Sequence, residues 1–167
     1  MNQMIRQATL QDCVVIESIF LDVIDWMTQK HISNLWTKQN MSWHALSQHY
    51  SIEDFYVYCI NNKPVGCLAL TDEDQVYWPD IPAGKSLYIH KLAVKREFSG
   101  RGISKKLIDY SKNLAHTRGI SAIRLDCNMS RGKLCELYES QGFQYFKKIT
   151  TNTGYTLALY EYFLEEV

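Results

Sequence analysis

Gly100 and Gly102 stand on either side of Arg101, directly before a segment whose apolar residues recur at helical spacing, and Lys105 and Lys106 follow them. Glycine tolerates positive φ and lets a backbone approach a ligand closely. The first N–H groups of a helix have no partner inside the helix, and the helix dipole makes that end positive. The segment therefore predicts an anion site, most simply for a phosphate, in which the basic side chains add mobile charge. One alternative stays open, that the glycines only ease a connection between a strand and a helix.

The elements that would position this site follow from the spacing of apolar residues and from turn chemistry. The pattern predicts strands over Met4–Gln7, Phe55–Ile60, Pro64–Leu70, Ser86–Val94, Ile120–Cys127, Phe143–Ile149 and Tyr155–Phe163. It predicts helices from Cys13 to Met27, from Ser42 as N-cap to Tyr50, from Ile103 to a stop at Gly119, and over Arg131–Gln141. This order is typical of an α+β domain with a mixed sheet.

The length, the charge and the cysteine content of the chain limit the classes of protein to which it can belong. The 167 residues suit a single domain spanning 1–167, and the 18 basic and 18 acidic residues cancel. Such a balance argues against a nucleic-acid partner. The five cysteines have no CxxC spacing, so neither a zinc site nor a disulfide framework is supported, and we expect no metal. Without an apolar leader or a membrane-length apolar run, the expected location is the cytoplasm, with no membrane association.

Several motifs in the second half of the chain match one known family in order. A small-apolar triplet, Leu92-Ala93-Val94, precedes the turn Glu97-Phe98-Ser99-Gly100-Arg101-Gly102, and Tyr138 stands four residues before Gly142-Phe143. This region resembles the acetyl-CoA-binding core of the GCN5-related N-acetyltransferase (GNAT) superfamily. The resemblance implies the GNAT fold, a mixed and mostly antiparallel sheet of about seven strands flanked by about four helices. It also implies acetyl-CoA as co-substrate.

The resemblance assigns cofactor contacts residue by residue. The backbone of Leu92–Val94 is expected to pair with the pantetheine arm, and the N–H groups of Gly100–Ser104 to hold the pyrophosphate. The full expected set is Leu92, Ala93, Val94, Ser99, Gly100, Arg101, Gly102, Ile103, Ser104, Lys105 and Arg131. Glu97, Ser104 and Arg131 depart from the family's usual residues, and Glu97 places a negative charge near the proposed phosphates. The backbone cradle does not depend on any of these three side chains.

Acetyl transfer to an amine needs a proton acceptor and a donor to the leaving thiolate. Tyr138 matches the family tyrosine beside the cofactor sulfur and is the candidate acid; the alternative is a packing tyrosine. His90 lies two residues before Leu92 and is the candidate base, because its ordinary pKa of about 6.5 suits proton uptake at neutral pH. Period-two alternation places His90 on one strand face with Tyr88 and Leu92. A purely structural histidine is the alternative, and the Leu92 N–H is the expected oxyanion donor.

The acceptor is not identified by any residue. Five aromatic residues in the first helices and in the loop before the fourth strand could wall an amine pocket: Trp26, Trp36, Trp43, Tyr77 and Trp78. The acidic residues Asp72, Glu73, Asp74 and Asp80 could attract a cation, although packing and solvation explain each residue equally well. The expected activity is direct acetyl transfer to a primary amine of a small molecule or peptide. The alternative is a non-catalytic acyl-CoA-binding or sensing domain. The aromatic C-terminal strands could form the edge of a homodimer.

Overall fold

A computed structural model describes residues 1–166, and its seven strands form one mixed sheet in the order β1-β2-β3-β4-β5-β7-β6. Their bounds are β1 Gln3–Gln7, β2 Phe55–Ile60, β3 Lys63–Thr71, β4 Leu87–Val94, β5 Ala122–Asn128, β6 Gln144–Thr150 and β7 Thr156–Phe163. β4 pairs with β5 in parallel, whereas β1–β2, β2–β3, β5–β7 and β6–β7 are antiparallel. The predicted α+β fold with a mostly antiparallel sheet is confirmed, and no strand bound differs from the predicted one by more than two residues.

Within residues 1–166 there are four α-helices. They are α1 Cys13–Gln29, α2 Trp43–Leu46, α3 Ile103–Thr117 and α4 Gly132–Ser140. Ser42 caps α2 as predicted, since its hydroxyl accepts the Ala45 N–H at 3.2 Å. The prediction that this helix reaches Tyr50 is wrong, because the chain after Leu46 tightens into turns in which Gln48 N and His49 N donate to carbonyls three residues back.

Contacts divide the described chain into two compact units. The first unit contains Met1–Ala69 and Lys91–Leu107, and the second contains Leu70–His90 and the chain from Ile108 onward. The boundaries fall inside β3, β4 and α3. Each unit is therefore described by itself, and the single domain over 1–167 stays a prediction.

The core of the first unit forms between α1 and the inner face of its strands. Ile16, Phe20 and Met27 recur at helical spacing and are at most 1% exposed, as the apolar stripe predicts. They pack with Phe55 and other buried strand residues in one cluster. Before α1, the Asp12 carboxylate accepts the Thr9 N–H at 2.8 Å and two bonds from Arg6, at 2.7 and 2.9 Å, which fix the entry to the helix.

The second unit has its own buried cluster, in which Trp78 packs with Tyr88 and Leu159. Arg124 is buried on β5, where its guanidinium bonds Glu161 at 3.0 Å and donates to the Ser86 hydroxyl. The pairing satisfies a buried cation, which would otherwise be costly. No helix among residues 1–166 combines the length and apolar character needed to cross a bilayer.

Candidate functional site

The C-terminal half of β4 is irregular. Lys91 has φ +56°, a left-handed conformation that is uncommon for a residue other than glycine. The period-two alternation expected between His90 and Leu92 therefore does not carry through Lys91, although Tyr88 and His90 share a face, with ring centroids 6.5 Å apart. Strain of this kind concentrates at functional sites, and here it lies directly before the predicted pantetheine-binding segment, Leu92–Val94.

Gly66 on β3 lies close to both β4 and α3 in the first unit. A Cβ built at Gly66 would lie 3.3 Å from the Ala93 carbonyl oxygen, 3.3 Å from Val94 Cγ2 and 3.1 Å from Ile103 Cγ2. A side chain at this position would require its neighbours to shift by a few tenths of an ångström. The sequence analysis missed this residue, although a glycine inside an apolar strand is a signal of close backbone approach.

The turn that is predicted to form the anion cradle contains two glycines in the left-handed conformation. Gly100 and Gly102 both have φ +76°, and a Cβ at either residue would meet no atom within 4 Å. The first bond of the α3 ladder runs from Lys106 N to Gly102 O at 3.0 Å, so the N–H groups before Lys106 lie ahead of the ladder. Two glycines with room beside them at the start of a helix fit a phosphate, which is the requirement that acetyl-CoA sets for this turn.

The turn at Arg96, which precedes the cradle, is held against α1 by a hydrogen bond and a ring contact. The Asp22 carboxylate accepts the Arg96 N–H at 2.7 Å, and the Arg96 guanidinium lies 3.6 Å from the centroid of a Trp26 ring. Trp26 therefore packs beneath this turn. Arg101 is exposed, and its guanidinium lies 5.1 Å from the Phe98 ring centroid and 3.4 Å from the Glu97 carbonyl oxygen.

The prediction that Lys106 adds mobile charge to the cradle is wrong. Lys106 Nζ donates to Gln3 Oε1 at 3.1 Å and to the Tyr58 hydroxyl at 3.2 Å. These partners come from β1 and β2, which the local sequence around Lys106 does not reveal. Arg101 and Lys105, both exposed, are the remaining basic residues of the segment.

Two other expected aromatic wall residues are partly buried and pack against the core of the first unit. Trp36 packs edge-on against Phe20 at 5.3 Å between centroids, and Trp43 against Phe55 at 5.8 Å. In the second unit Trp78 is 4% exposed and contacts Tyr88. Packing therefore accounts for these three tryptophans.

His90, at the end of the β4 segment that belongs to the second unit, is held by Thr71. Its Nε2 lies 3.1 Å from Thr71 Oγ1, and that hydroxyl donates its single proton to the Glu73 carbonyl at 3.1 Å. The hydrogen bond with the Thr71 hydroxyl therefore fixes one edge of the imidazole ring.

Two carboxylates accompany His90. One carboxylate oxygen each from Asp74 and Asp126 and one ring nitrogen of His90 lie within 4.8 Å of one another. The burial of Tyr77, followed by the negative charges of Asp126 and Asp74, raises the pKa of the Tyr77 phenol. The sequence analysis gave Asp126 no role and raised Asp74 only as one of several loop acids, because their contact with His90 joins distant parts of the chain.

Tyr138 lies on α4 of the second unit and is 4% exposed. Its ring packs edge-on against Phe143 at 5.8 Å between centroids and contacts Tyr160 at 6.4 Å. Burial, with smaller contributions from the charges of Cys127 and Asp126, raises the pKa of the Tyr138 phenol. The hydroxyl therefore stays protonated at neutral pH and can donate a hydrogen bond or a proton.

The start of α4 carries Arg131, a predicted cofactor contact, at its N-cap position. The Arg131 N–H donates to the Asn128 carbonyl at 2.9 Å, and Asn128 Oδ1 accepts the Ser130 N–H at 3.0 Å. One turn into the helix, Cys135 Sγ lies 3.4 Å from the buried Cys127 Sγ. The predicted site residues thus fall into two groups: Leu92–Val94 and Ser99–Lys105 in the first unit, and His90, Arg131 and Tyr138 in the second.

Comparisons with known proteins agree on one family. The sequence model described as "Acetyltransferase (GNAT) family" matches residues 20–143. An uncharacterized N-acetyltransferase, YesJ of Bacillus subtilis, is 22% identical over 144 residues, which cover 83% of this chain and 79% of that protein. A GNAT-family acetyltransferase from Listeria monocytogenes superposes with a TM-score of 0.75 at 21% identity, covering 97% of this chain and 95% of its own. The acetyltransferase yncA of Salmonella typhimurium, solved with acetyl-CoA, superposes with a TM-score of 0.69 at 17% identity, covering 100% and 96%.

Proposed function

Because this chain belongs to the acetyltransferase (GNAT) family, we propose that it transfers an acetyl group from acetyl-CoA directly to a primary amine of a small molecule or peptide. Family membership confirms the predicted superfamily and, with it, the enzyme class, an N-acetyltransferase that uses acetyl-CoA. The acceptor, the direct transfer and the roles of individual residues are the proposal.

The observation that carries the proposal is the open cradle at the start of α3. Gly100 and Gly102 hold left-handed conformations, and a Cβ at either position would meet no atom within 4 Å, which suits the close approach of a pyrophosphate to the backbone at a helix N-terminus. Ser99, Ile103 and Ser104 lie in the same turn, and the exposed side chains of Arg101 and Lys105 supply positive charge. The departure at Glu97 does not remove the cradle, since backbone groups form it.

Each of the remaining site residues has one role in the reaction. When bound, acetyl-CoA supplies an activated acetyl group as a thioester. The edge of Leu92–Val94 pairs with the amide groups of the pantetheine arm, and the Leu92 N–H donates to the carbonyl oxygen as negative charge develops. His90 takes a proton from the amine. Tyr138 donates to the leaving sulfur, and Arg131 at the start of α4 contacts the cofactor.

An acyl-CoA sensor that lacks chemistry is the second candidate, and one pair of measurements separates the two functions. Thermal unfolding is followed with and without CoA, and release of the CoA thiol from acetyl-CoA is followed with benzylamine, spermidine and peptides bearing free N-termini. Binding with amine-dependent thiol release supports the enzyme. Binding without release by any amine favours the sensor, and failure of CoA to raise the unfolding temperature overturns both.

Location and assembly stay predictions. Five free thiols are consistent with a reducing compartment such as the cytoplasm. β6 ends the sheet and is almost wholly exposed, with Tyr145 and Phe146 each 51% exposed, which supports a homodimer edge. Analytical ultracentrifugation would test the dimer.

A further inference from the structure

Two cysteines of the second unit touch each other, although eight positions separate them in the chain. Cys127 is on β5 and Cys135 is in α4, and their Sγ atoms are 3.4 Å apart. A disulfide bond needs about 2.05 Å between the two sulfurs, so a small movement would bring this pair to bonding distance. The other cysteines, Cys13, Cys59 and Cys67, belong to the first unit.

The turn between β5 and α4 brings the two thiols together. The Arg131 N–H donates to the Asn128 carbonyl at 2.9 Å, and the Cys135 N–H donates to the Arg131 carbonyl at 3.1 Å. The same Asn128 carbonyl oxygen lies 3.7 Å from Cys127 Sγ and 3.8 Å from Cys135 Sγ, and both thiols can donate to it. The contact between the sulfurs is therefore set by the backbone of this turn.

The two sulfurs differ in how easily an oxidant reaches them. Cys127 is 3% exposed, whereas Cys135 is half-buried. Burial, followed by the adjacent Cys135 thiol and the charge of Asp126, raises the pKa of the Cys127 thiol, and the charge of Arg131 opposes this shift. Cys127 therefore stays a protected neutral thiol, and Cys135 is the sulfur that a small oxidant meets first. An accessible cysteine with a second cysteine beside it is typical of reversible thiol oxidation sites.

The surroundings connect this pair to Tyr138. Cys135 lies three residues before Tyr138, so the two side chains are neighbours on the surface of α4. The charges of both cysteines act on the Tyr138 phenol. The Tyr160 hydroxyl donates to Glu139 Oε1 at 2.7 Å and is also hydrogen-bonded to Cys135. A movement of the Cys135 sulfur towards Cys127 would therefore disturb the turn of α4 that carries Tyr138 and break the contact with Tyr160.

We propose that Cys127 and Cys135 form a redox modification site, at which hydrogen peroxide converts the two thiols to a disulfide that lowers turnover and that a dithiol reverses. The site itself does not depend on the proposed N-acetyltransferase function, whereas its effect on turnover rests on that function through Tyr138. A displacement of about 1 Å in a positioned catalytic group can lower a rate about 10²-fold, so a small movement of α4 is sufficient.

Atoms and electrons balance over two steps. Cys135 releases its proton, and its sulfur attacks one peroxide oxygen. The O–O bond breaks, the second oxygen leaves with that proton as water, and Cys135 becomes a sulfenic acid. The Cys127 sulfur then attacks the Cys135 sulfur, the S–O bond breaks, and the hydroxide leaves with the Cys127 proton as a second water. Each sulfur gives up one electron, so two thiols and one hydrogen peroxide yield one disulfide and two waters. A reducing dithiol restores both thiols by exchange.

Three variants isolate the pair from the other thiols. Cys135→Ser is the primary variant, because a hydroxyl is readily accommodated at a half-buried position. Cys127→Ala is the second variant, because alanine places no polar group at a buried position. Cys13→Ser is the matched control, since Cys13 is also half-buried but lies on α1 of the first unit. Thermal unfolding shows whether each variant is folded before it is oxidised.

The first measurement needs no substrate. The full chain is treated with hydrogen peroxide, the remaining thiols are blocked, and tryptic peptides are analysed by mass spectrometry. Trypsin cuts after Arg131 and Lys133, so a disulfide joins two otherwise separate peptides. We expect the Cys127–Cys135 cross-link in the wild type and in Cys13→Ser, and dithiothreitol should restore all five thiols. Absence of the cross-link from oxidised wild type would overturn the site, as would a cross-link that dithiothreitol does not reverse.

Turnover is the second measurement, with the amine from the panel above that reacts fastest. The loss of thioester absorbance is followed after peroxide or dithiothreitol has been removed by desalting. Oxidised wild type should show kcat lowered at least about tenfold, and dithiothreitol should restore it. Cys135→Ser should keep its turnover after peroxide treatment. Unchanged kcat in cross-linked wild type, or an equal loss in Cys135→Ser, would overturn the effect on catalysis. Absence of turnover with every amine in the reduced protein would instead refute the proposed function, and the cross-link would still decide the site.

Discussion

Replacing Gly102 by alanine tests the cradle directly, because the structure separates its two effects. The first effect is backbone strain. At φ +76° a Cβ costs about 1–2 kcal/mol in the left-handed region, with no added clash, since no atom lies within 4 Å of the new methyl group. For a chain of this size that loss should lower the unfolding temperature by about 2–8 °C.

The second effect concerns only CoA. The methyl group at position 102 would stand in the space assigned to the pyrophosphate. If affinity falls tenfold, CoA at a concentration of about 100 times the wild-type dissociation constant stabilises the variant by about 1.4 kcal/mol instead of about 2.7 kcal/mol. The CoA-induced rise in unfolding temperature should therefore be roughly halved.

Gly119→Ala is the matched control for this experiment. Gly119 follows the other end of α3 with φ +68°, and a Cβ there also meets no atom within 4 Å. This variant should lose a similar amount of stability yet keep the full CoA-induced rise. A full rise in Gly102→Ala as well would show that the phosphates bind elsewhere, and the assignment of the turn would be wrong.

Three further predictions test the catalytic acid, the packing below the cradle and an ion pair. Tyr138→Phe should lower kcat by about 10²-fold, a typical share for a positioned acid, with unchanged CoA affinity by calorimetry; an equal kcat would remove the acid role. Gly66→Val should cost about 1–3 kcal/mol in urea unfolding, because its Cβ lies within 3.3 Å of the Ala93 carbonyl, and a neutral result would contradict the close approach. The hydrogen bonds from Arg6 hold the pKa of the Asp12 carboxyl below its ordinary value. The ion pair therefore stabilises the fold above the ordinary carboxyl pKa of about 4, and this stabilisation is lost as the pH falls below that value. Asp12→Asn should consequently lose less stability on acidification than the wild type. Urea unfolding at each pH would measure the difference.

The order of elements and the glycine turn before α3 could be predicted because their signals are local. The alternation and spacing of apolar residues place the strands and helices, and glycines directly before a helix specify a turn whatever lies around it. Ser42 as N-cap is local in the same sense. The end of α2 was wrong because no strong stop signal follows Leu46, and the turns that end the helix depend on packing.

What the sequence could not reveal are contacts between distant residues. Lys106 is engaged by Gln3, which lies 103 positions earlier. The link from Thr71 to His90 spans 19 positions, and neither residue type specifies it. Lys91 gives no sign of positive φ, because lysine does not favour that conformation. Gly66 did carry a signal, since a glycine inside an apolar strand indicates that another backbone comes close.

The raised pKa of Tyr138 limits the way in which it can act. Even at its ordinary pKa of about 10, a phenol is a weaker acid than a thiol with a pKa of about 8.5, so full proton transfer to a thiolate is unfavourable by about 2 kcal/mol. Burial increases that difference. Tyr138 therefore acts chiefly by donating a hydrogen bond that strengthens as charge develops on sulfur, and its proton passes over only as the nitrogen becomes acidic. Because the phenol does not ionise near neutral pH, Tyr138→Phe should lower the rate at every pH without changing the shape of the profile. The acidic limb of the kcat/KM profile is then left to His90, the proposed base.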